Sequence, residues 1–396
     1  MSLLLRACTA TSALGVGLHA TWQALLAQRS GLKRCDFETV TLDTWIGAVP
    51  GVDAVAMPDD LQDWDCRNNR LALLALRQDG FEDAVRAERA RHGPQRVGVF
   101  LGTSTSGMLQ TELAYRARAA DGALPGWFHY AQTQNTYSVA AFVRRYFDLQ
   151  GPAYVVSTAC SSSAKVFAHA QRYLQAGLID AAIVGGVDSL CLTTLYGFHA
   201  LQLLAPQPCT PWGAQRQGIS IGEAAAYALL TRADASTPGG SVLLLGAGES
   251  SDAHHMSAPH PQGLGAQHAM QAALQAAGLR AGDIDYINLH GTATPSNDAA
   301  EDLAVQAVFG ANPPPVSSTK GHTGHTLGAA GAVEAVICAL ALQHQLAPGG
   351  CHTTAVDPAL RTPYLQHNRP LPLRRVLSNS FGFGGSNSCL ILGLSA

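Results

Sequence analysis

Seven apolar runs, each ending in small or polar residues, recur along the chain with helical patterns between them. The runs are 96–104, 153–160, 180–190, 241–249, 284–292, 375–385 and 388–394. Because they are continuously apolar rather than alternating, they are typical of strands covered on both faces. A further strand and turn are expected before a helix that begins near His19, and helical spacing follows Cys160 and recurs over 326–345. This alternation predicts a layered α/β fold.

A polar stretch rich in Pro and Gly, RADASTPGGS (232–241), interrupts the pattern. We interpret it as the junction of two halves, residues 1–240 and 241–396, each with several strand–helix units. The two halves share no clear repeat at the level of individual residues.

Composition excludes several classes of protein. With 47% hydrophobic and 13% charged residues, a net charge of −3 and no basic tract, neither disorder nor binding to nucleic acid or an anionic membrane is favoured. The nine cysteines form no CxxC pair, which is typical of reduced thiols in a cytoplasmic protein. The chain contains no stretch of 18 apolar residues, so no membrane span is predicted.

Cys160 stands in STACSSS (157–163), where an apolar strand ends and a helix begins. At a helix N-terminus, unpaired N–H groups and the helix dipole lower the pKa of a thiol and can hold an oxyanion. A buried structural cysteine is the usual alternative. The strand-to-helix position favours a nucleophile.

Two further motifs carry histidines beside Gly and Thr: NLHGTATPSND with His290, and SSTKGHTGHTLGAAGAVE with Lys320, His322 and His325. A zinc site of the three histidines is disfavoured, because no acidic residue or thiol completes the set at a familiar spacing. A fourth motif, SNSFGFGGSN (378–387), predicts a hairpin turn or a loop whose N–H groups face a ligand. GAGESS (246–251) lacks the third glycine of a dinucleotide loop.

Together, and in this order, the four motifs resemble those of the β-ketoacyl-acyl-carrier-protein synthases, the elongating ketosynthases with a Cys-His-His site. The resemblance spans nearly the whole chain. It implies a thiolase-like fold, with two similar α/β halves in five layers, and usually a dimer. It also implies decarboxylative condensation of a Cys-bound acyl chain with malonyl-acyl-carrier protein in fatty acid, polyketide or polyene elongation.

The resemblance implies a role for each matching residue. Cys160 would carry the acyl chain as a thioester, while His290 and His325 would bind the malonyl thioester carbonyl and stabilise the enolate. Lys320 would hold this network and interact with Glu334. Neutral imidazole N–H groups suit an oxygen on which negative charge develops.

The backbone N–H groups of Cys160 and Phe383 would form the oxyanion hole, and Phe383 would gate the pocket. The implied substrate-binding residues are Thr105, Phe381, Thr292 and Thr294. No metal or organic cofactor is implied, because the phosphopantetheine of acyl carrier protein delivers both substrates. The implied partners are that carrier protein and a second subunit, in a homodimer or in a heterodimer with a chain-length factor.

The segment CTPWGAQRQGISIGEAA (209–225) departs from the family pattern. Thr210 replaces an arginine, and Gly213 and Gln217 replace acidic residues, so contacts on the substrate side are in doubt. His322 stands at a variable position, and its role cannot be assigned from the sequence.

Three alternatives remain open at this stage. A Cys-His hydrolase would leave the second histidine and Lys320 unexplained. A chain-length factor would bind partners without condensing, yet the nucleophile is present. Initiating ketosynthases and thiolases use other residue sets. The segments ISIGEAA and LCLTTLYGF resemble condensing enzymes of bacterial aryl-polyene pathways.

Overall fold

The computed structural model describes residues 2–396. The strands are β1 (Leu3–Ser12), β2 (Gly15–Val16), β3 (Lys33–Arg34), β4 (Trp45–Gly47), β5 (Val97–Gly102), β6 (Ala153–Val156), β7 (Ala181–Asp188), β8 (Ile221–Gly222), β9 (Ala224–Arg232), β10 (Val242–Ser251), β11 (Tyr286–Asn288), β12 (Val316–Ser317), β13 (Leu346–Ala347), β14 (Arg369–Pro370), β15 (Arg375–Gly382) and β16 (Ser386–Leu394). The helices are α1 (Gly17–Leu26), α2 (Arg67–Leu76), α3 (Phe81–His92), α4 (Met108–Arg116), α5 (Ser138–Tyr146), α6 (Ser162–Gln175), α7 (Leu192–Ala200), α8 (Leu264–Ala277), α9 (Pro295–Phe309), α10 (Lys320–Thr323) and α11 (Ala330–His344).

All seven apolar runs form strands, namely β5, β6, β7, β10, β11, β15 and β16. The strand, turn and helix expected at the start of the chain are β1, β2 and α1, and the two predicted core helices are α6 and α11. These predictions are confirmed. The sequence reading missed β9, whose AAAYALLTR is rich in alanine, a residue depleted from strands.

The main sheet consists of two five-stranded halves with the same plan. Its order is β12-β11-β15-β16-β10-β1-β9-β7-β5-β6, with β2 paired to β1. In the N-terminal half β5 pairs in parallel with β6 and β7, and the sheet continues with antiparallel pairs from β7 through β9 to β1. In the C-terminal half β11 pairs in parallel with β12 and β15, and continues antiparallel through β16 to β10. The first to fifth strands of each half therefore occupy equivalent places.

The predicted boundary at 240/241 lies in the connection between β9 and β10. Those two halves of the sheet meet only where β1 pairs with β10, at Leu3 with Leu244 and Leu4 with Leu243. The division into two domains stays a prediction.

Helices α6 and α11 form the central layer, because each contacts strands of both sheet halves. Helices α2, α3 and α5 cover the outer face of the N-terminal half, and α8 covers that of the C-terminal half, which gives five layers. Close packing of α6 on α11 depends on Gly331, where an added Cβ would lie 2.7 Å from the Ala164 Cβ. Leu327–His344, apolar and long enough to cross a membrane, is 89% buried inside the protein. It is therefore a core helix here.

Candidate active site

Cys160 lies in the turn between β6 and α6, as the sequence predicts. Ala159, directly before it, has a φ of 51°, in the left-handed region that residues with a Cβ seldom adopt. Such strain persists only where surrounding contacts determine it, and it is concentrated at functional sites. Cys160 is 5% exposed and lies two residues before Ser162, where α6 begins.

The pKa of the Cys160 thiol differs from the sequence expectation. Burial raises it to about 11, while the charge of Lys320 and the N–H groups of Phe383 and of Cys160 itself lower it only in part. The expectation of a depressed pKa was wrong because complete desolvation outweighs the helix N-terminus. The two N–H groups that favour the thiolate are those expected for the oxyanion hole.

His325 faces the sulphur directly. Its Nε2 lies 3.0 Å from the Cys160 Sγ, and its Nδ1 accepts a hydrogen bond from the Leu327 N–H at 3.3 Å. Because Nδ1 accepts, the proton of a neutral ring stands on Nε2. Burial and the nearby Lys320 charge hold the pKa of His325 well below its usual value, so the ring is neutral near pH 7. His325 therefore presents an N–H donor at the sulphur.

His290 enters the same space from the end of β11. Its ring lies 5.4 Å from that of His325 and 5.6 Å from that of Phe381. Burial, Lys320 and His325 together hold the pKa of His290 well below its usual value. The backbone N–H groups of His290 and Gly291 donate to the Glu301 carboxylate, each at 2.8 Å. Nδ1 of His290 has no hydrogen-bond partner within residues 2–396.

Lys320 and Glu334 form a buried ion pair behind the histidines. The Lys320 Nζ donates to the carbonyl oxygen of His290 at 2.6 Å and to the Glu334 carboxylate. Burial raises the pKa of Glu334 to about 7, and the Lys320 charge opposes that shift. Lys320 thus fixes the backbone of His290, and its positive charge lowers the pKa of both His290 and His325.

The structure brings Cys160, His290 and His325 together, with one ligand atom of each within 4.8 Å of the others. That donor set could hold a metal ion on geometry alone. The three-histidine set considered from the sequence is not assembled, because His322 faces away from the cleft. Its two ring nitrogens lie 3.1 Å from the Arg29 carbonyl oxygen and 3.0 Å from that of Gly349.

A cleft opens onto these residues. Its polar wall includes Thr292 and Thr294, whose hydroxyl oxygens lie 2.9 Å apart. Its apolar wall includes Phe198, Phe381 and Phe383, and the Phe198 and Phe383 ring centroids are 5.7 Å apart.

Thr105 lies outside this cleft. Its hydroxyl donates to the Asp188 carboxylate at 2.8 Å and accepts from the Ser189 N–H. A role for it in lining an acyl tunnel stays a prediction. Asp252, in the loop after β10, also lines the cleft.

The departing segment builds a second, separate cleft. Thr210, Gly213 and Gln217 line this second cleft, which shares no lining residue with the first. Arg216 is held by Asp298 and Asp357, at 3.4 and 2.7 Å. The substitutions therefore alter a neighbouring loop and leave the walls around Cys160 intact.

Sequence reasoning missed Asp188, Asp298 and Glu301, three fully or almost fully buried carboxyl groups near the site. Glu301 holds the His290 turn, and burial raises its pKa to about 7. Its position in α9, eleven residues after His290 in the sequence, carries no distinctive pattern. The available signal in the sequence was that Glu301 is an acidic residue on the buried face of α9.

Comparison with known proteins places the chain in a family. A family model described as "Beta-ketoacyl synthase, N-terminal domain" matches residues 6–236, and "Beta-ketoacyl synthase, C-terminal domain" matches residues 242–354. The chain is 33% identical to "3-oxoacyl-[acyl-carrier-protein] synthase 2" of Coxiella burnetii, over 96% of this chain and 95% of that protein. It is 35% identical to "Nodulation protein E" of Rhizobium meliloti, over 74% of this chain and 75% of that protein.

A solved structure is similar over the whole chain. It is "Ketosynthase (ApeO) in Complex with its Chain Length Factor (ApeC) from Xenorhabdus doucetiae", with a TM-score of 0.88, 40% identity, and coverage of 100% of this chain and 98% of that chain. The thiolase-like fold expected from the motifs is confirmed.

Proposed function

The chain belongs to the β-ketoacyl synthase family and is an acyltransferase, and on that premise we propose how its residues divide the condensation. Cys160 takes the acyl chain, and His290 and His325 drive the decarboxylation of a malonyl group carried by acyl carrier protein. The observation that carries the proposal is the 3.0 Å distance between the His325 Nε2 and the Cys160 Sγ, together with the Leu327 N–H that donates to Nδ1 of the same ring.

In the first half-reaction the sulphur of Cys160 attacks the thioester carbonyl of the acyl carrier. The new C–S bond replaces the bond to the phosphopantetheine sulphur, which departs with the proton from the thiol. The N–H groups of Cys160 and Phe383 hold the oxyanion, consistent with both groups favouring negative charge at the sulphur. Because the pKa of the thiol is high, the thiolate needs to be stabilised. The two N–H groups and the Lys320 charge supply this stabilisation and so help to activate the nucleophile.

In the second half-reaction the bond between the malonyl α-carbon and its carboxylate breaks, and carbon dioxide leaves. The electron pair moves into the thioester as an enolate, whose oxygen accepts hydrogen bonds from His290 and His325. The α-carbon then attacks the Cys160 acyl carbonyl, the C–S bond breaks, and the released sulphur takes up a proton from water. Two neutral imidazoles suit this step, since the pKa of each is held low by burial.

Lys320 and Glu334 act as positioning residues through the His290 carbonyl. Thr292 and Thr294 contact the phosphopantetheine arm on the polar wall, and Phe381 contacts the bound substrate on the apolar wall. Phe383 gates the acyl side, where it packs on Phe198. No organic cofactor is required by these steps.

Acyl carrier protein is the proposed partner in catalysis, and a second ketosynthase-like chain is the proposed structural partner. The similarity to a ketosynthase solved with its chain-length factor supports a heterodimer, and a homodimer is the alternative. A cytoplasmic location and an aryl-polyene pathway stay predictions. A chain-length-factor role without condensation is disfavoured, because Cys160, His290, His325 and Lys320 are assembled in one site.

Intact-mass spectrometry tests the proposal. The wild-type protein and a Cys160→Ala variant are incubated with acyl carrier protein charged with acyl chains of several lengths. A mass gain equal to the acyl group, present only in the wild type and lost on addition of malonyl-acyl carrier protein, is the expected result. Absence of any adduct on the wild type across all lengths, with and without a chain-length factor, would contradict it.

A further inference from the structure

Asp188, at the end of β7, is a fully buried carboxylate outside the cleft. Its Oδ1 accepts hydrogen bonds from the hydroxyls of Thr103 and Thr105, at 2.7 and 2.8 Å, and from the N–H groups of Ser104 and Thr105, both at 2.8 Å. Its Oδ2 accepts from the Gly328 N–H. One carboxylate thus joins the loop after β5 to the turn before α11.

Every donor to Asp188 in the described chain is neutral, so no cation offsets its burial. Burial raises the pKa of this carboxyl, and the hydrogen bonds oppose the shift. Burying a carboxylate without a cation is costly even when it is hydrogen-bonded. A position that retains one therefore calls for a role beyond packing.

The Oδ2 bond leads to His325. Gly328 follows Leu327, which has a φ of 51° although it is not a glycine. The Leu327 N–H donates to the His325 Nδ1 and so keeps the ring proton on Nε2. Gly328 packs tightly on the carboxylate, because a Cβ there would lie 2.8 Å from the Asp188 Oδ2.

The Oδ1 bonds lead to Cys160. Ser104, whose N–H is held by Asp188, donates its hydroxyl to the Ala159 carbonyl at 3.3 Å. Ala159 is the residue with positive φ directly before the nucleophile. The same carboxylate therefore supports the two strained turns that present the Cys160 sulphur and the His325 Nε2 to each other.

We propose that Asp188 is a positioning residue for the condensation, which holds the Leu327–Gly328 turn and thereby the Nε2–H tautomer of His325 against the Cys160 sulphur. It acts through Gly328 and Leu327 and touches no reacting atom. The inference rests on the proposed function of the same site and deepens it.

Asp188→Asn is the direct test. The amide keeps the size of the side chain but replaces one accepting oxygen with an NH₂ group, which cannot accept from Gly328 or from the loop after β5. Loosening the His325 ring is expected to lower kcat of condensation on the order of 10²-fold. KM for malonyl-acyl carrier protein is expected to change little, because the walls of the cleft are untouched.

Asp302→Asn provides the matched control. Asp302 is also a buried carboxylate, and it accepts from the N–H groups of Arg361 and Thr362 and from the Thr362 hydroxyl. Its substitution is expected to lower thermal stability in the same way without the loss in kcat. If the two variants lose stability and kcat to the same extent, the proposal is overturned.

A measurement on the wild type keeps the test independent of variant folding. The ¹⁵N shifts of labelled histidines distinguish a protonated from an unprotonated ring nitrogen, and a His325→Gln variant identifies the signals. The proposal requires an unprotonated Nδ1 and a protonated Nε2 at pH 7, whereas the reverse tautomer contradicts it. Failure of the wild type to take up an acyl group would instead contradict the proposed function and leave this spectroscopic result to be judged separately.

Discussion

The two halves of the sheet share a strand plan but differ in the turn after the third strand. In the N-terminal half β6 leads through residues 157–161 into α6, and Cys160 lies in that short turn. In the C-terminal half β12 leads through the longer segment 318–329 into α11, and that segment carries Lys320 and His325. Because the two helices pack together in the central layer, the equivalent turns face each other across the site.

The turns after the other parallel strands continue the comparison. The second strand is followed by Thr103–Thr105 in one half and by His290 in the other. The fourth strand ends at Asp188 in the first half and is followed by Phe383 in the second. The turn after the third strand thus holds the proposed nucleophile, Cys160, in the first half and the proposed hydrogen-bond donor, His325, in the second. In the proposed mechanism the first half supplies the residue that carries the acyl group, and the second half supplies the histidines of the decarboxylation.

Removing Lys320, the buried cation behind the two histidines, is expected to have the largest effect on the C-terminal half. Lys320→Ala leaves Glu334 buried without its partner, which is expected to cost about 3–5 kcal/mol in the free energy of unfolding. Chemical denaturation measures this loss. Lys33→Ala breaks a solvent-exposed pair with Asp36 and is expected to cost only about 0–1 kcal/mol. Equal losses would mean that the buried pair contributes nothing special.

Titrating the nucleophile sharpens the account of the N-terminal half. Since burial raises the pKa of Cys160 to about 11, the thiolate fraction grows as pH rises toward that value. The alkylation rate of Cys160 by iodoacetamide is expected to increase about tenfold per pH unit between pH 7 and pH 10. Peptide mass spectrometry follows this site, with Cys160→Ser as the blank. A plateau near neutral pH would show that the helix N-terminus outweighs burial after all.

The contact between the two central helices is the next test. In Gly331→Ala the new Cβ meets the Ala164 backbone nitrogen and Cβ, both at 2.7 Å, so the helices must move apart. We expect a loss of about 1–3 kcal/mol in stability, seen as a lower Tm. Gly197→Ala in α7, where a Cβ meets nothing within 4 Å, is expected to gain up to about 1 kcal/mol. A Gly331→Ala protein as stable as Gly197→Ala would contradict the packing described.

Metal removal is expected to have the smallest effect. The sulphur and the two imidazoles could ligate an ion, but the proposed steps use them as nucleophile and donors. Condensation after dialysis against a chelator is therefore expected to proceed at the untreated rate. A loss of activity that zinc restores would reassign the three residues as ligands.

The sequence was sufficient for most of the fold and the assembly of the site. Runs such as 180–190 predict strands because a strand buried on both faces needs apolar residues throughout. The strand β9 was not predicted, because its alanines have low strand propensity. Their small side chains instead allow close packing against α11. The common strand order of the two halves could not be predicted from the sequence either. It is a pattern of backbone hydrogen bonds, and it leaves no repeat of individual residues.

Electrostatics and supporting contacts were the least predictable part. The helix N-terminus at Cys160 was read correctly, yet the direction of the thiol pKa depends on how deeply the sulphur is buried. Asp188 matters through contacts to residues 85 positions before and 140 after it in the chain. Nothing in the local sequence GGVDSL indicates those partners.

The division of labour between the halves is tested most directly by separating the half-reactions in Cys160→Ala and His290→Ala. Mass spectrometry follows acyl uptake by each protein and the conversion of malonyl- to acetyl-acyl carrier protein. The account predicts that His290→Ala takes up the acyl group but does not decarboxylate, whereas Cys160→Ala decarboxylates without taking up an acyl group. Loss of both half-reactions in both variants would contradict a division between the halves.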